Sequence, residues 1–269
     1  MIMKWTSLTV AMLIAISSYG LALESRFPTS WANTKKVLAA EVYTDRLRTF
    51  YCGCQYTVDP SSRGETLKPE SCQLPSNLKW ASKHNDVEWE HIVPAQLMPA
   101  STFTCWQKPN SFPRCVSKSG EVSSGRACCE KVDSAARNMI FDMFNAVPAA
   151  AQLNQYRSND PYGEISDSQP HEGFGPQCEA QDLNSPGKLF EPPDCKKGDV
   201  ARVWFYMRDT HKVVIPNEMS AMFLRWSNSD PVSPSEQLYA ERISKIQGTV
   251  NSYVIGKEAS AQGSCSWER

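Results

Sequence analysis

The sequence has no long hydrophobic segment outside its N-terminal region and no surplus of positive charge. The apolar run at residues 8–16 is too short to span a membrane, which takes about 20 apolar residues. The chain carries 28 basic and 29 acidic residues, whereas dedicated nucleic-acid binders are usually basic. We therefore expect no membrane contact in the mature form, and any contact with a polyanion must use a local cationic surface.

Several other patterns are also absent. There is no linker rich in Ser or Gly, no internal repeat and no low-complexity tract, which favours one domain. No H-E-x-x-H motif occurs, which argues against a metalloprotease. The close cysteine pairs, Cys52-Gly53-Cys54 and Cys128-Cys129, are not the C-x₂-C knuckles that are typical of a structural zinc site.

The N-terminus has the layout of a secretory signal peptide. Lys4 supplies a positive charge, residues 8–16 are apolar, and Gly20 and Ala22 are small residues suited to a signal-peptidase site. We expect cleavage after Ala22, so that residues 1–22 are the signal peptide and residues 23–269 are the mature domain. The mature chain then has 27 basic and 29 acidic residues, and its destination is the periplasm or the medium.

Cysteine usage agrees with export, because all ten cysteines lie after the expected cleavage site. An even number of cysteines in an exported chain predicts disulfides, with zinc binding as the less favoured alternative. The pairing cannot be read from the sequence. The candidates for disulfide formation are Cys52, Cys54, Cys72, Cys105, Cys115, Cys128, Cys129, Cys178, Cys195 and Cys265.

The pattern of apolar residues predicts an α+β fold: one mostly helical, disulfide-stabilised domain with few strands. We expect a strand over residues 87–93, which Pro94 ends, and a helix over residues 149–158 with Pro148 in its first turn. Residues 60–75 and most of 159–198 are expected to be loops. Gly198 is expected to precede an apolar helix over residues 200–208.

Two segments contain residues suited to catalysis. Glu90 directly precedes His91, which places a hard oxygen ligand for Mg²⁺ beside a base that titrates near neutral pH. In the second segment, Asn154 lies one helical turn from small residues and from Arg157, which could face a phosphate. A lone histidine is more often structural, and a helical Asn is usually solvated. The residues alone therefore reach only a candidate oxygen-ligated metal site.

These segments resemble the bacterial endonuclease I family of periplasmic and secreted nucleases. The family pattern E-W-E-H-[IV]-V-P-A is matched throughout by residues 88–95, and D-M-x-N-L-x-P corresponds to residues 142–148. The helix pattern V-N-G-D-R-[SG]-N corresponds to residues 153–159. This chain departs from the family helix at Gln152, Gln155 and Tyr156, where the family has an acidic residue, Gly and Asp.

The resemblance implies a ββα-metal (His-Me finger) core with one divalent metal ion, Mg²⁺ first and Mn²⁺ or Ca²⁺ as alternatives. It implies that Glu90 and Asn154 hold the metal and that His91 is the general base. Arg126 would be catalytic as a phosphate-binding residue, with Arg157 as a second phosphate-binding candidate. The expected activity is sequence-non-specific endonucleolytic cleavage of DNA, and of RNA, leaving 5′-phosphates. We expect a monomer.

Two alternatives remain open at this stage. One is a catalytically silent, disulfide-rich exported binding protein on the same scaffold. The other is a phosphatase or a metalloprotease that uses His91.

Overall fold

The computed structural model describes residues 25–59, 64–77, 79–166, 168, 172–175, 178–183 and 188–269. The expected signal peptide at residues 1–22 lies outside them. The helices are α1 (Trp31–Val37), α2 (Thr104–Gln107), α3 (Gly125–Val132), α4 (Ser134–Ile140), α5 (Ala151–Arg157), α6 (Asp194–His211), α7 (Asn217–Ser229) and α8 (Pro234–Gln247). The strands are β1 (Tyr56–Val58), β2 (Glu65–Leu67), β3 (Val87–His91), β4 (Ala146–Ala150), β5 (Glu172–Gly173), β6 (Gln181–Leu183) and β7 (Leu189–Glu191).

The described residues thus form a mixed α and β architecture, as predicted, and the paired strands form small antiparallel sheets. The sheet that matters for the site pairs β3 with β4, and α5 follows β4 directly. The strand expected over residues 87–93 is confirmed, although it ends at His91.

The expected helical position of Pro148 is wrong. Pro148 lies in β4, opposite Trp89 of β3, and the helix begins only at Ala151. The Pro148 carbonyl accepts a hydrogen bond from the Phe50 N–H at 2.7 Å, and Phe50 is not part of β3. In an antiparallel strand the N–H and C=O of one residue point to the same side. The missing N–H of proline therefore faces away from β3 and costs no hydrogen bond of the β3–β4 ladder.

Two loop predictions missed short strands. Strand β2 lies inside the expected loop at 60–75, and β5, β6 and β7 form a three-stranded sheet within 159–198. Strands of two or three residues are too short to show an alternating pattern in the sequence.

The expected helix boundary at Gly198 is also wrong, because α6 already begins at Asp194 and contains this glycine. A Cβ atom at position 198 would lie 2.2 Å from the backbone oxygen of Asp230. The glycine therefore allows the close approach of the chain that follows α7, and it does not mark the start of a helix.

The disulfide prediction is confirmed, since all ten cysteines are paired. The bridges are Cys52–Cys178, Cys54–Cys72, Cys105–Cys129, Cys115–Cys128 and Cys195–Cys265. Two of them attach adjacent residues of α3 to the segment before it. The N-terminal turn of α3, which carries Arg126, is thereby fixed to the rest of the domain. Among the described helices, none combines the length and apolarity needed to cross a membrane.

Candidate active site

The predicted site residues come together around one open cavity of about 430 Å³. The cavity lies between the end of β3, helix α5 and the start of α3. The five predicted residues Glu90, His91, Arg126, Asn154 and Arg157 all line it. Residues that are up to 67 positions apart in the sequence therefore share one solvent-accessible space.

His91 is the last residue of β3 and is only 7% exposed. Its Nε2 lies 2.7 Å from the backbone oxygen of Ile140. A carbonyl oxygen can only accept, so Nε2 carries the proton and Nδ1 holds the free lone pair. Burial, together with the positive charge of Arg126, lowers the pKa of His91 to about 3. The imidazole is therefore neutral at physiological pH.

The Trp31 indole stacks on the His91 ring, with centroids 4.2 Å apart and planes inclined by 19°. Ser30 caps α1 by accepting from the Asn33 N–H, which fixes the first turn of the helix that carries this tryptophan. Stacking on one face and hydrogen bonding at Nε2 restrain the imidazole in two independent directions.

Glu90 is buried and accepts a hydrogen bond from Arg157 Nη1 at 2.8 Å. Burial raises the pKa of Glu90 to about 7, against the opposing effect of the guanidinium. Arg157 is only 1% exposed and also donates to the backbone oxygens of His91, Ile92 and Ser158. Arg157 thus connects the end of β3 to the end of α5 and holds the Glu90 carboxylate at the cavity wall.

Asn154 projects from α5 into the same cavity. Its Nδ2 donates to Glu88 Oε2 at 2.8 Å, and no described residue donates to its side-chain carbonyl oxygen, Oδ1. Carboxylate and amide oxygens are the ligands that Mg²⁺ and Ca²⁺ prefer, so Glu90 and Asn154 fit such an ion. Within the described part of the chain, no three His, Cys, Asp or Glu side chains group as metal ligands. An ion at this site would therefore keep several waters in its coordination shell.

Arg126 lies in the first turn of α3, whose N-terminus Ser124 caps. Its Nε donates to Glu130 Oε1 at 2.9 Å, and its guanidinium lies 5.7 Å from the Trp31 ring. Holding Nε leaves the terminal fork of the guanidinium for an anion in the cavity.

Sequence reasoning missed the residues that hold this arrangement. Asn145 is buried. Its side-chain amide accepts from the Val93 N–H and donates to the Val93 backbone oxygen. Its backbone carbonyl accepts from the Ile92 N–H. The chain just after His91 is thereby locked. The contacts of Trp31 and Ile140 with His91 link positions 60 and 49 residues apart, so no local sequence pattern could have indicated them.

A buried carboxylate, a neutral imidazole, an amide oxygen and a guanidinium around one cavity can bind a divalent cation, remove a proton and hold an anion. That combination is typical of hydrolases that act on phosphate esters. The model of the Endonuclease I family matches residues 29–258. This chain therefore belongs to the Endonuclease I family.

Curated relatives agree with the family match. The chain is 30% identical to Endonuclease-1 of Buchnera aphidicola subsp. Baizongia pistaciae over 84% of this chain and 83% of the relative. It is 28% identical to an extracellular deoxyribonuclease of Aeromonas hydrophila, over 79% of this chain and 84% of the relative. It is 27% identical to a periplasmic deoxyribonuclease of the same organism, over 80% and 81% respectively.

Proposed function

We propose that this chain is an exported, sequence-non-specific endonuclease that hydrolyses phosphodiester bonds of DNA, and of RNA, with one divalent metal ion. The observation that carries the proposal is that Glu90, His91, Arg126 and Asn154 line one cavity, in which His91 has Nε2 bonded to a carbonyl and Nδ1 free. The family membership and the names of the relatives support it.

In the proposed mechanism, His91 Nδ1 takes a proton from the attacking water. The Arg126 fork binds a non-bridging phosphate oxygen and stabilises the charge that develops in the transition state. Glu90 and Asn154 would hold the cation, and Arg157 fixes Glu90 and the adjacent strand carbonyls. A divalent cation, with Mg²⁺ expected first, would supply positive charge that stabilises the negative charge developing as the bond from phosphorus to the 3′ oxygen breaks. The product strand then begins with a 5′-phosphate.

We propose that β3, β4 and α5 together form a ββα-metal (His-Me finger) unit, which carries this mechanism. Contacts to the phosphate backbone position a nucleic acid but carry no sequence information. The cationic and metal-binding groups of this cavity need no base contact, which supports weak sequence preference and activity on both DNA and RNA.

Export is part of the proposal. The five disulfides are suited to an oxidising compartment, and the relatives are named as extracellular and periplasmic enzymes. We propose that residues 1–22 direct secretion and are removed after Ala22.

The test is a plasmid-nicking assay on the mature protein, first in EDTA and then with added Mg²⁺, Mn²⁺ or Ca²⁺. We expect no cleavage in EDTA and restored cleavage of plasmid and of single-stranded RNA with Mg²⁺, with 5′-phosphate ends that a ligase can join. Retention of DNA without cleavage under every metal condition would instead support the catalytically silent binding protein.

A further inference from the structure

Glu88 is a second acidic residue next to the site, but it does not line the cavity. It precedes Glu90 by two positions in β3, so both side chains leave the same face of the strand. Its Oε2 accepts from Asn154 Nδ2 at 2.8 Å and from Gln155 Nε2 at 3.0 Å. Its Oε1 accepts from Lys83 Nζ at 3.1 Å. Three donors thus hold one half-buried carboxylate.

The amide of Asn154 has two ends of nearly equal size and opposite chemistry. A rotation of 180° about the last side-chain bond would exchange the carbonyl oxygen and the NH₂ group. An ionised carboxylate accepts hydrogen bonds and cannot donate them. Glu88 can therefore face only the NH₂ group, and the carbonyl oxygen is the end left for the cavity.

We propose that Glu88 is a positioning residue that holds the Asn154 amide in the one orientation that can ligate a cation. The inference rests on the proposed function, because it takes Asn154 as a metal ligand. Glu88 acts on Asn154 alone and touches neither the cation nor the substrate.

Gln155 adds a hydrogen-bond donor to this arrangement that the family pattern lacks. The family pattern has Gly at the corresponding position, and glycine has no side-chain donor. Here the Gln155 amide bonds the same Oε2 atom as Asn154, while Lys83 holds the other oxygen. Gln155 and Lys83 thus restrain the Glu88 carboxylate, so that it does not turn into the cavity towards Glu90.

The experiment measures Mn²⁺ binding to the mature protein without nucleic acid, by electron paramagnetic resonance of the free ion. The main variants are Glu88→Ala, Asn154→Ala, Asn154→Asp and the double variant that combines Glu88→Ala with Asn154→Asp. Removing a partner that orients a metal ligand typically costs about 10–100-fold in affinity, which is the loss expected for Glu88→Ala. An Asp at position 154 presents oxygen in either orientation, so the same Glu88→Ala change should cause no such loss in the Asn154→Asp background.

An equal loss of Mn²⁺ affinity in both backgrounds would overturn the proposal, because it would show that Glu88 acts only through its negative charge. Asp86→Asn is the matched control for charge. It removes the other carboxylate that Lys83 contacts but touches neither amide, and it should leave Mn²⁺ affinity unchanged. Gln155→Ala should cause a smaller loss than Glu88→Ala, because Asn154 and Lys83 still hold the carboxylate.

Folding and the broader hypothesis are checked separately. Melting curves of every variant identify a folding defect, and Glu88→Leu, which keeps a bulky side chain without a hydrogen-bond acceptor, replaces Glu88→Ala in the same cycle if the alanine variant does not fold. Unchanged Mn²⁺ affinity in Asn154→Ala would refute the ligand assignment in the proposed function. A loss in Asn154→Ala with none in Glu88→Ala would refute the positioning role of Glu88 alone.

Discussion

The regions around His91 and His211 look alike by simple measures and differ in chemistry. The two histidines are 7% and 8% exposed, and each has Nε2 at 2.7 Å from an oxygen atom. His91 bonds the backbone carbonyl of Ile140 and lines the cavity of about 430 Å³. His211, the last residue of α6, bonds the Asp142 carboxylate.

The surroundings of His211 form a closed network. Asp142 is fully buried and also accepts from the Tyr206 hydroxyl, the Gln247 amide and the Phe144 N–H. Each of its carboxylate oxygens has two donors, so this buried carboxylate is fully satisfied. Around His91, by contrast, the Asn154 side-chain carbonyl oxygen has no partner among the described residues, and both His91 and Asn154 line an open cavity. Burial alone therefore does not distinguish a catalytic site from a structural network. Polar atoms without a protein partner beside an open cavity do.

The largest effect is expected from removing the proposed base. A general base contributes about 10²–10⁴-fold to the rate, so His91→Ala should lose plasmid cleavage by that factor. DNA affinity should change little, because it depends on phosphate contacts and on the metal. Cleavage rates, DNA affinity and melting curves measured on one preparation check this. Loss of cleavage only in proportion to lost folded protein would place His91 in the same structural class as His211.

A smaller loss of rate is expected from the cavity arginine. Removal of one preorganised donor to a developing negative charge typically costs about 10²–10³-fold, and Arg126→Ala should fall in that range. Arg126→Lys should recover only part of the rate, because a lysine cannot supply the planar fork. The control is Arg114→Ala, which removes an exposed arginine from the neighbouring loop. Equal rates for Arg126→Ala and Arg114→Ala would exclude a phosphate-binding role.

The effect at the second histidine should appear in stability. His211→Ala removes one donor from a buried carboxylate, which should lower the free energy of unfolding by about 1–3 kcal/mol. Cleavage per folded molecule should stay at the wild-type rate. Urea unfolding, combined with cleavage assays well below the midpoint, measures both quantities. A catalytic defect without loss of stability would contradict the comparison of the two regions.

The pH dependence of stability should sharpen the contrast. Burial lowers the pKa of folded His91 to about 3, below the ordinary value of an unfolded chain. Between these two values the unfolded state binds the extra proton, so this histidine makes the folded state less stable as the pH falls from about 6.5. His91→Ala lacks this contribution, so its stability relative to wild type should improve by about 1.4 kcal/mol per pH unit in that window. Urea unfolding of wild type and His91→Ala in EDTA from pH 7 to pH 4 measures this difference. A difference in free energy of unfolding that stays constant over this range would contradict the lowered pKa.

The sequence predicted the components of the site better than the contacts that position them. The octapeptide around His91 and the helix segment around Asn154 led to four of the five residues that the fold brings around one cavity, and the family resemblance supplied the fifth, Arg126. The residues alone indicated only a candidate metal site, and the assignment of the individual roles came from the resemblance. Local propensity alone placed Pro148 in a helix, although it lies in a strand.

What could not be predicted depends on contacts between distant parts of the chain. The Ile140 carbonyl that fixes the His91 tautomer is a backbone atom, and any residue type would supply it. Glu88 appeared in the same octapeptide, but its partner could be identified only after β3 and α5 were placed side by side. Disulfide pairing likewise follows from the folded geometry and not from cysteine spacing.

The central claim is that His91 is a neutral base with its proton on Nε2 and its lone pair on Nδ1. Nitrogen-15 NMR of histidine-labelled mature protein between pH 5 and pH 8 tests this directly, with His91→Ala used to assign the signals. The account predicts a His91 Nδ1 that is unprotonated throughout this range and a protonated Nε2 that does not titrate. A proton on Nδ1, or an imidazolium at pH 7, would contradict it.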